Sequence, residues 1–133
     1  MINNKIINFA ANSKFVGLKN KFTHKSCLKN KLCGDIIKIE VVLMKDTIKE
    51  MRYETNSCIF CEASASILSS KISTFRKKTI KKDFELLKEM AKTKNFLLPK
   101  KFKAFKDIIN EKSLSRLDCI FLPFNALLRA LKI

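Results

Sequence analysis

The stretch IIKIEVVLMKDTIKEMRYET, residues 36–55, decides the fold. Its first half alternates: Ile37, Ile39, Val41 and Leu43 share one face, while Lys38 and Glu40 point the other way. A side-chain period of two is that of a pleated strand with one buried face. Lys45-Asp46-Thr47 reads as a turn, and from Ile48 to Thr55 the alternation returns with Met51 and Tyr53 on one side. Upstream, Lys21 to Lys29 reads as one more strand. Together the three predict an antiparallel meander.

Downstream the period becomes that of a helix. Ser57 is placed to cap a helix running from Cys58 to about Thr74, rich in Ala and Ser, with Ile67 and Leu68 as its apolar residues. Thr79 suits the N-cap of another, whose Ile80, Phe84, Leu87 and Ala91 recur at i, i+4, i+7 and i+11. Leu97-Leu98-Pro99 breaks the pattern, and Phe102, Phe105 and Ile108/Ile109 suggest a further short helix. Pro123 sits where a first helical turn tolerates it, ahead of a Phe124, Leu127, Leu128, Leu131 stripe. At the other end, Ile2, Ile6 and Phe9/Ala10 have the spacing of a short amphipathic helix, and residues 12–20 read as a loop. Strands first and helices afterwards predict an α+β fold: a three-stranded antiparallel sheet followed by a helical C-terminal half packed on it. A chain of 133 residues fits one domain over 1–133, burying roughly two-thirds of the surface exposed by the unfolded chain.

An apolar share of 47% argues against disorder. The N-terminus lacks the apolar core and cleavage site of a signal peptide, and the longest uncharged run, Cys119 to Leu128, falls short of a bilayer span. Five cysteines, an odd number, read as free thiols of a reducing compartment. The expectation is a cytoplasmic protein with no membrane partner. The net charge of +16 attracts polyanions, but it is concentrated: residues 71–106 carry 13 Lys/Arg against only Asp83, Glu85 and Glu89. A solvated basic helical face is the plain reading of that stretch, a docking surface for an acidic protein the next, and nucleic acid the last.

Three cysteines stand where a site would need them. Cys33 opens a Cys33-Gly34-Asp35 turn before the second strand, Cys58 lies between the third strand and the following helix, and Cys119 precedes the last helix. Unpaired N–H groups and the dipole at a helix start lower a thiol pKa and favour thiolate, the form that ligates metal and attacks sulfur. If the helix termini converge, three thiolates and the Asp35 carboxylate form a site suited to tetrahedral zinc or an iron–sulfur cluster. A carboxylate is a hard partner among soft sulfurs, which suits a site that must release what it holds. No CxxC…CxxC knuckle is present, and burial as small packing residues is the other reading of these cysteines. Cys27 reads as a strand residue, and Cys61 either as a packing residue or as an accessory thiol one turn beyond Cys58. His24, the sole histidine, reads as a solvated strand residue or, second, as a zinc ligand.

Leu32-Cys33-Gly34-Asp35, Cys58-Ile59-Phe60-Cys61-Glu62-Ala63-Ser64-Ala65-Ser66, and Arg116-Leu117-Asp118-Cys119 followed by Leu122-Pro123-Phe124-Asn125-Ala126-Leu127 resemble the U-type iron–sulfur scaffold family. That family comprises IscU, SufU and the N-terminal domain of NifU. The resemblance implies that Cys33, Cys58 and Cys119 are the family cysteines and that Asp35 is the aspartate tuning cluster release. It implies a scaffold rather than an enzyme, one that receives sulfur from a cysteine desulfurase, assembles a [2Fe–2S] cluster and passes it to apo iron–sulfur acceptor proteins. Some SufU members instead hold Zn2+ and act as sulfur acceptors, the alternative for this chain. The IscU segment LPPVK and the histidine before the last cysteine are missing here, the span between Cys58 and Cys119 is longer, and Ser57 stands where glycine is usual. With Arg116 as an accessory residue three positions before Cys119, the resemblance is closer to SufU-like members.

Overall fold

The computed structural model describes residues 3–11 and 13–133. Three strands, β1 (His24–Lys29), β2 (Ile36–Met44) and β3 (Thr47–Asn56), form an antiparallel sheet in sequence order. The β1–β2 register runs from His24 opposite Val41 to Lys29 opposite Ile36. The β2–β3 register runs from Ile36 opposite Asn56 to Met44 opposite Thr47, with a bulge at Val42/Leu43. Ile37, Ile39, Val41, Ile48, Met51 and Tyr53 are buried as the alternation requires. Glu40 departs from it. It faces away from these residues yet is 6% exposed, because its carboxylate accepts hydrogen bonds from the Lys19 and Asn20 amides of the loop folded over that side.

Among the described residues four α-helices accompany the sheet: α1 (Asn4–Ala11), α2 (Ile59–Ser70), α3 (Lys77–Lys92) and α4 (Leu117–Leu131). The α+β class holds, with α1 placed ahead of the strands. In α1, Ile6 is buried and Phe9 and Ala10 pack partly on the core; Ile2 and Asn12 lie outside the described residues. Helix α2 runs through the core, buried at nearly every position from Phe60 to Ser69. Its Ala63-Ser64-Ala65-Ser66 run lets α4 come close enough for the Ser64 hydroxyl to donate to the Ile120 carbonyl at 2.6 Å.

Helix boundaries moved where tertiary contacts supplied what local sequence does not. The first strand starts at His24 rather than Lys21. Cys58, not Ser57, is the N-cap of α2, which ends at Ser70 and gives way to a 3-10 turn at Ile72–Thr74. Helix α3 starts at Lys77, ahead of Thr79, because Asp46 in the β2–β3 turn accepts the amide of Lys77 on its carbonyl and that of Lys78 on its carboxylate. The helix expected around Phe102 is a 3-10 segment, Lys100–Phe105, with a second at Glu111–Arg116. Helix α4 begins at Leu117, so Cys119 lies in its first turn and Pro123 well inside it. Proline there removes the amide that would bond the Cys119 carbonyl four residues back.

The Lys-rich stretch is anchored by aromatic packing. Phe84 of α3 stacks on Phe124 of α4 with centroids 4.8 Å apart and meets Phe121 edge-on at 5.3 Å. Phe102 and Phe105 close the same cluster. Its apolar positions Ile80, Phe84, Leu87 and Ala91 are all buried, while most of its lysines remain exposed. We expect Phe84→Ala to cost about 3–5 kcal/mol and Asp46→Ala about 1 kcal/mol, both read from denaturant unfolding midpoints of the metal-free protein.

Candidate metal centre

The β2–β3 register determines where the site forms. Ile36 pairs with Asn56, so Asp35 and Cys58 leave the sheet side by side, one just before β2 and the other just after β3. The turn before β2 is closed by Gly34 N–H to the Asn30 carbonyl and Asn30 N–H to the Asp35 carbonyl, both at 2.7 Å. Gly34 has φ +76°, and a Cβ there would meet nothing within 4 Å. Glycine is thus demanded by the backbone angle and not by crowding. The turn leaves Cys33 exposed and buries Asp35.

Asp35 Oδ1 accepts a hydrogen bond from the Cys58 amide at 3.2 Å, satisfying an orphan donor at the start of α2. Its other oxygen, Oδ2, is buried with no hydrogen-bond partner among the described residues. A buried carboxylate oxygen without a donor is costly, and a cation is one means of satisfying it. Cys119, 5% exposed in the first turn of α4, completes the cluster. Its sulfur lies 3.7 Å from that of Cys33. The ligand atoms of Cys33, Asp35 and Cys119 all fall within 4.8 Å of one another.

Of the four residues expected to converge, these three form one tight group. Cys58 borders it, its thiol close enough to Cys119 to perturb that group's ionisation. The thiolate expected at Cys119 is not favoured in the metal-free site. Burial pushes its pKa up, and the adjoining Cys58, Cys33 and Asp35 push it in the same direction, outweighing the helix start. Two soft sulfurs beside a hard carboxylate with one unpartnered oxygen fit a thiophilic metal ion or a cluster iron. Binding one would expel the Cys119 proton.

The other expected residues fall outside this group. Cys61 is fully buried, and burial pushes its thiol up to about 12. Cys27 is exposed on β1. His24 sits at the far end of β1 from the turn, its Nδ1 2.8 Å from the Thr23 hydroxyl. Arg116 is exposed at the N-cap of α4. Sequence reasoning missed Glu62, whose carboxyl pKa is raised by burial and then by the nearby Asp35 charge. Its position one turn after Cys58 was the available signal. Beside the site a groove of about 590 Å³ runs between Lys29, Lys31 and Leu32 on one wall and Lys88, Asp118 and Phe121 on the other. Leu32 at its rim is 86% exposed.

Fold and site define a small α+β protein with a thiol–carboxylate cluster, a candidate metal centre, at the junction of a strand turn and two helix starts. The NifU-like N-terminal domain family matches residues 1–114, and the chain belongs to that family; Cys119 lies beyond the matched stretch. The U-type resemblance is thereby confirmed. The chain is 28% identical over 134 aligned positions to the iron-sulfur cluster assembly scaffold protein IscU of Thermotoga maritima, covering 99% of this chain and 93% of that one. Its fold is similar to the N-terminal NifU-like protein of Brucella abortus, with TM-score 0.80, 19% identity and coverage of 98% and 91%. It is also similar to a protein of Fervidobacterium islandicum described as an iron-sulfur cluster assembly scaffold protein for the SUF system, with TM-score 0.79, 22% identity and coverage of 98% and 96%.

We expect iodoacetamide at pH 8 to label Cys33 and Cys27 first in the native metal-free protein. Cys61, protonated at that pH and out of contact with solvent, should be labelled only on unfolding. Peptide mass mapping over time checks the order, and early labelling of Cys61 would contradict this burial.

Proposed function

We propose that this chain is a scaffold on which an iron–sulfur cluster is assembled and from which it is transferred, acting as a binding protein rather than a catalyst. The observation that carries this reading is the buried Asp35 carboxylate, one oxygen of which has no hydrogen-bond partner among the described residues and one of which lies within 4.8 Å of two thiol sulfurs. In it, Cys33, Cys119 and the adjoining Cys58 supply sulfur ligands, and Asp35 supplies the hard, weakly held one. The name of the Thermotoga maritima relative supports it. All 133 residues act as one unit, because Cys119 is delivered by α4 from beyond the Lys-rich stretch.

The sulfur donor in this reading is a cysteine desulfurase, and the recipients are apo iron–sulfur proteins. The groove beside Cys33 supports a docking place for the donor, with exposed Leu32 as an apolar contact and Lys29, Lys31 and Lys88 as its cationic lining. Of the basic residues in 71–106, only Lys88 lines this groove. The steering expected of that whole stretch therefore narrows to one helix position plus the loop before Cys33. Lys31→Glu combined with Lys88→Glu should weaken desulfurase binding in a titration at low salt. The deficit should shrink as ionic strength rises and screening shortens to about 10 Å at 0.1 M. Equal binding by variant and wild type at low salt would remove the groove from the interface.

The second reading, a zinc-bound sulfur acceptor of the desulfurase, is favoured by the donor set itself, since three cysteines and one aspartate satisfy tetrahedral zinc. Purification without oxygen separates the two: brown protein with iron and sulfide supports the scaffold, colourless protein with one zinc the sulfur acceptor, and absence of both defeats each. Cys33→Ser, Cys58→Ser and Cys119→Ser should each weaken metal binding by at least the ~10-fold typical of losing even an outer-shell partner. Cys27→Ser should change little.

Replacing Asp35 tests the release role. Asp35→Ala should hold a reconstituted cluster longer and pass it more slowly to apo-ferredoxin. Asp35→Asn, which keeps an oxygen for the Cys58 amide, should show the same effect. Faster cluster loss from both variants, followed by absorbance, would reduce Asp35 to a turn residue.

A further inference from the structure

The Cys33 and Cys119 sulfurs approach to 3.7 Å, yet the two thiols differ sharply in access. Cys33 is exposed on its turn, beside the 86% exposed Leu32, whereas Cys119 is 5% exposed in α4. A sulfur atom brought from outside therefore meets Cys33 first, with Cys119 directly behind it. Sulfur handed over by a thiol carrier arrives as sulfane sulfur, whereas the bridging atoms of an iron–sulfur cluster are sulfide. Two electrons per sulfur must come from somewhere.

We propose that Cys33 and Cys119 form a dithiol that supplies those electrons, reducing a sulfane sulfur received on Cys33 to hydrogen sulfide. This rests on the scaffold reading above and adds to it a reaction step within the chain. Transfer to Cys33 gives a persulfide, Cys33 Sγ bonded to one outer sulfur. The Cys119 sulfur then attacks Cys33 Sγ. The bond from Cys33 Sγ to the outer sulfur breaks as the Cys33–Cys119 disulfide forms. The outer sulfur leaves with the bonding pair, takes the proton released by Cys119 and departs as hydrogen sulfide. Across transfer and attack together, two thiols are oxidised to one disulfide and one sulfane sulfur is reduced to sulfide, so atoms and electrons balance. A small dithiol reductant returns the disulfide to two thiols, freeing both as ligands for the next iron.

The geometry suits this step. Reacting atoms in a productive complex stand about 3–3.5 Å apart, so the 3.7 Å between the two sulfurs is already close to attack distance. Attack on the inner sulfur, the one held next to Cys119, is what releases sulfide rather than moving the persulfide along. Cys61 is not suited to this role, being fully buried on α2 and outside the cluster that holds the two reacting thiols.

The test uses the reduced, metal-free full chain without oxygen, with glutathione persulfide as sulfur donor and rapid desalting before measurement. Wild type should release one hydrogen sulfide per chain and yield a linked Cys33–Cys119 peptide pair lacking two hydrogens. Cys119→Ser should keep the extra sulfur atom on Cys33 and lose sulfide release, while Cys33→Ser should lose both. Cys61→Ser and Cys27→Ser should match wild type. The proposal is overturned if Cys119→Ser releases sulfide at the wild-type rate, if the disulfide maps to Cys58 or Cys61, or if wild type retains its persulfide. A wild type that holds a cluster but retains its persulfide defeats this step alone, whereas a wild type that binds neither iron nor zinc defeats the scaffold reading itself.

Discussion

The hydrogen bond from the Cys58 amide to Asp35 Oδ1 is the constraint on which the rest of the site depends. It joins the turn before β2 to the start of α2, two segments 23 positions apart in sequence. The β2–β3 ladder makes the bond available, because Ile36 opposite Asn56 brings both segments off the same end of the sheet. With Oδ1 spent on the helix, Oδ2 is left buried and without a partner among the described residues. One side chain thus caps a helix with one oxygen and buries the other without a donor. A buried oxygen of that kind lowers stability, and a cation bound there would relieve the cost.

Cys119 reaches this corner by a longer route. It is carried by α4, whose position is set on one side by Ser64 donating to the Ile120 carbonyl and on the other by Phe121 and Phe124 against Phe84. Small residues on α2 permit the close approach, and the phenylalanines fix how α4 lies against α3. The Lys-rich stretch is therefore more than an elaboration of the surface. Its apolar side helps hold the helix that carries Cys119, while its charged side stays in water, and a single lysine, Lys88, reaches the groove beside the site.

Burial decides how the thiols divide the work. Two of the expected ligands differ in exposure by position alone, Cys33 on a glycine turn and Cys119 in the first turn of α4, although their sulfurs nearly touch. A helix start was expected to make Cys119 a thiolate. Desolvation and three neighbouring acidic groups win instead, since the dipole of a helix start contributes only a few tenths to about 1 kcal/mol when exposed.

Much of this protein was legible in its residues. Alternation over 36–55 determined β2, the turn and β3, and Ile80, Phe84, Leu87 and Ala91 marked the buried side of α3, because period and burial are local consequences of backbone geometry. The Cys33-Gly34-Asp35 turn and the cysteine contexts marked the candidate ligands. What the chain could not show by itself were features that depend on distant partners. Asp46 starts α3 two residues before Thr79, and Glu40 is buried by a loop some 20 residues away. Cys119 sits inside α4 because 3-10 segments and the phenylalanine cluster carry the chain into the helix before Pro123. The 3.7 Å approach of Cys33 to Cys119 and the unpartnered oxygen of Asp35 belong to the tertiary structure alone, since each is a meeting of segments that no local period or propensity encodes.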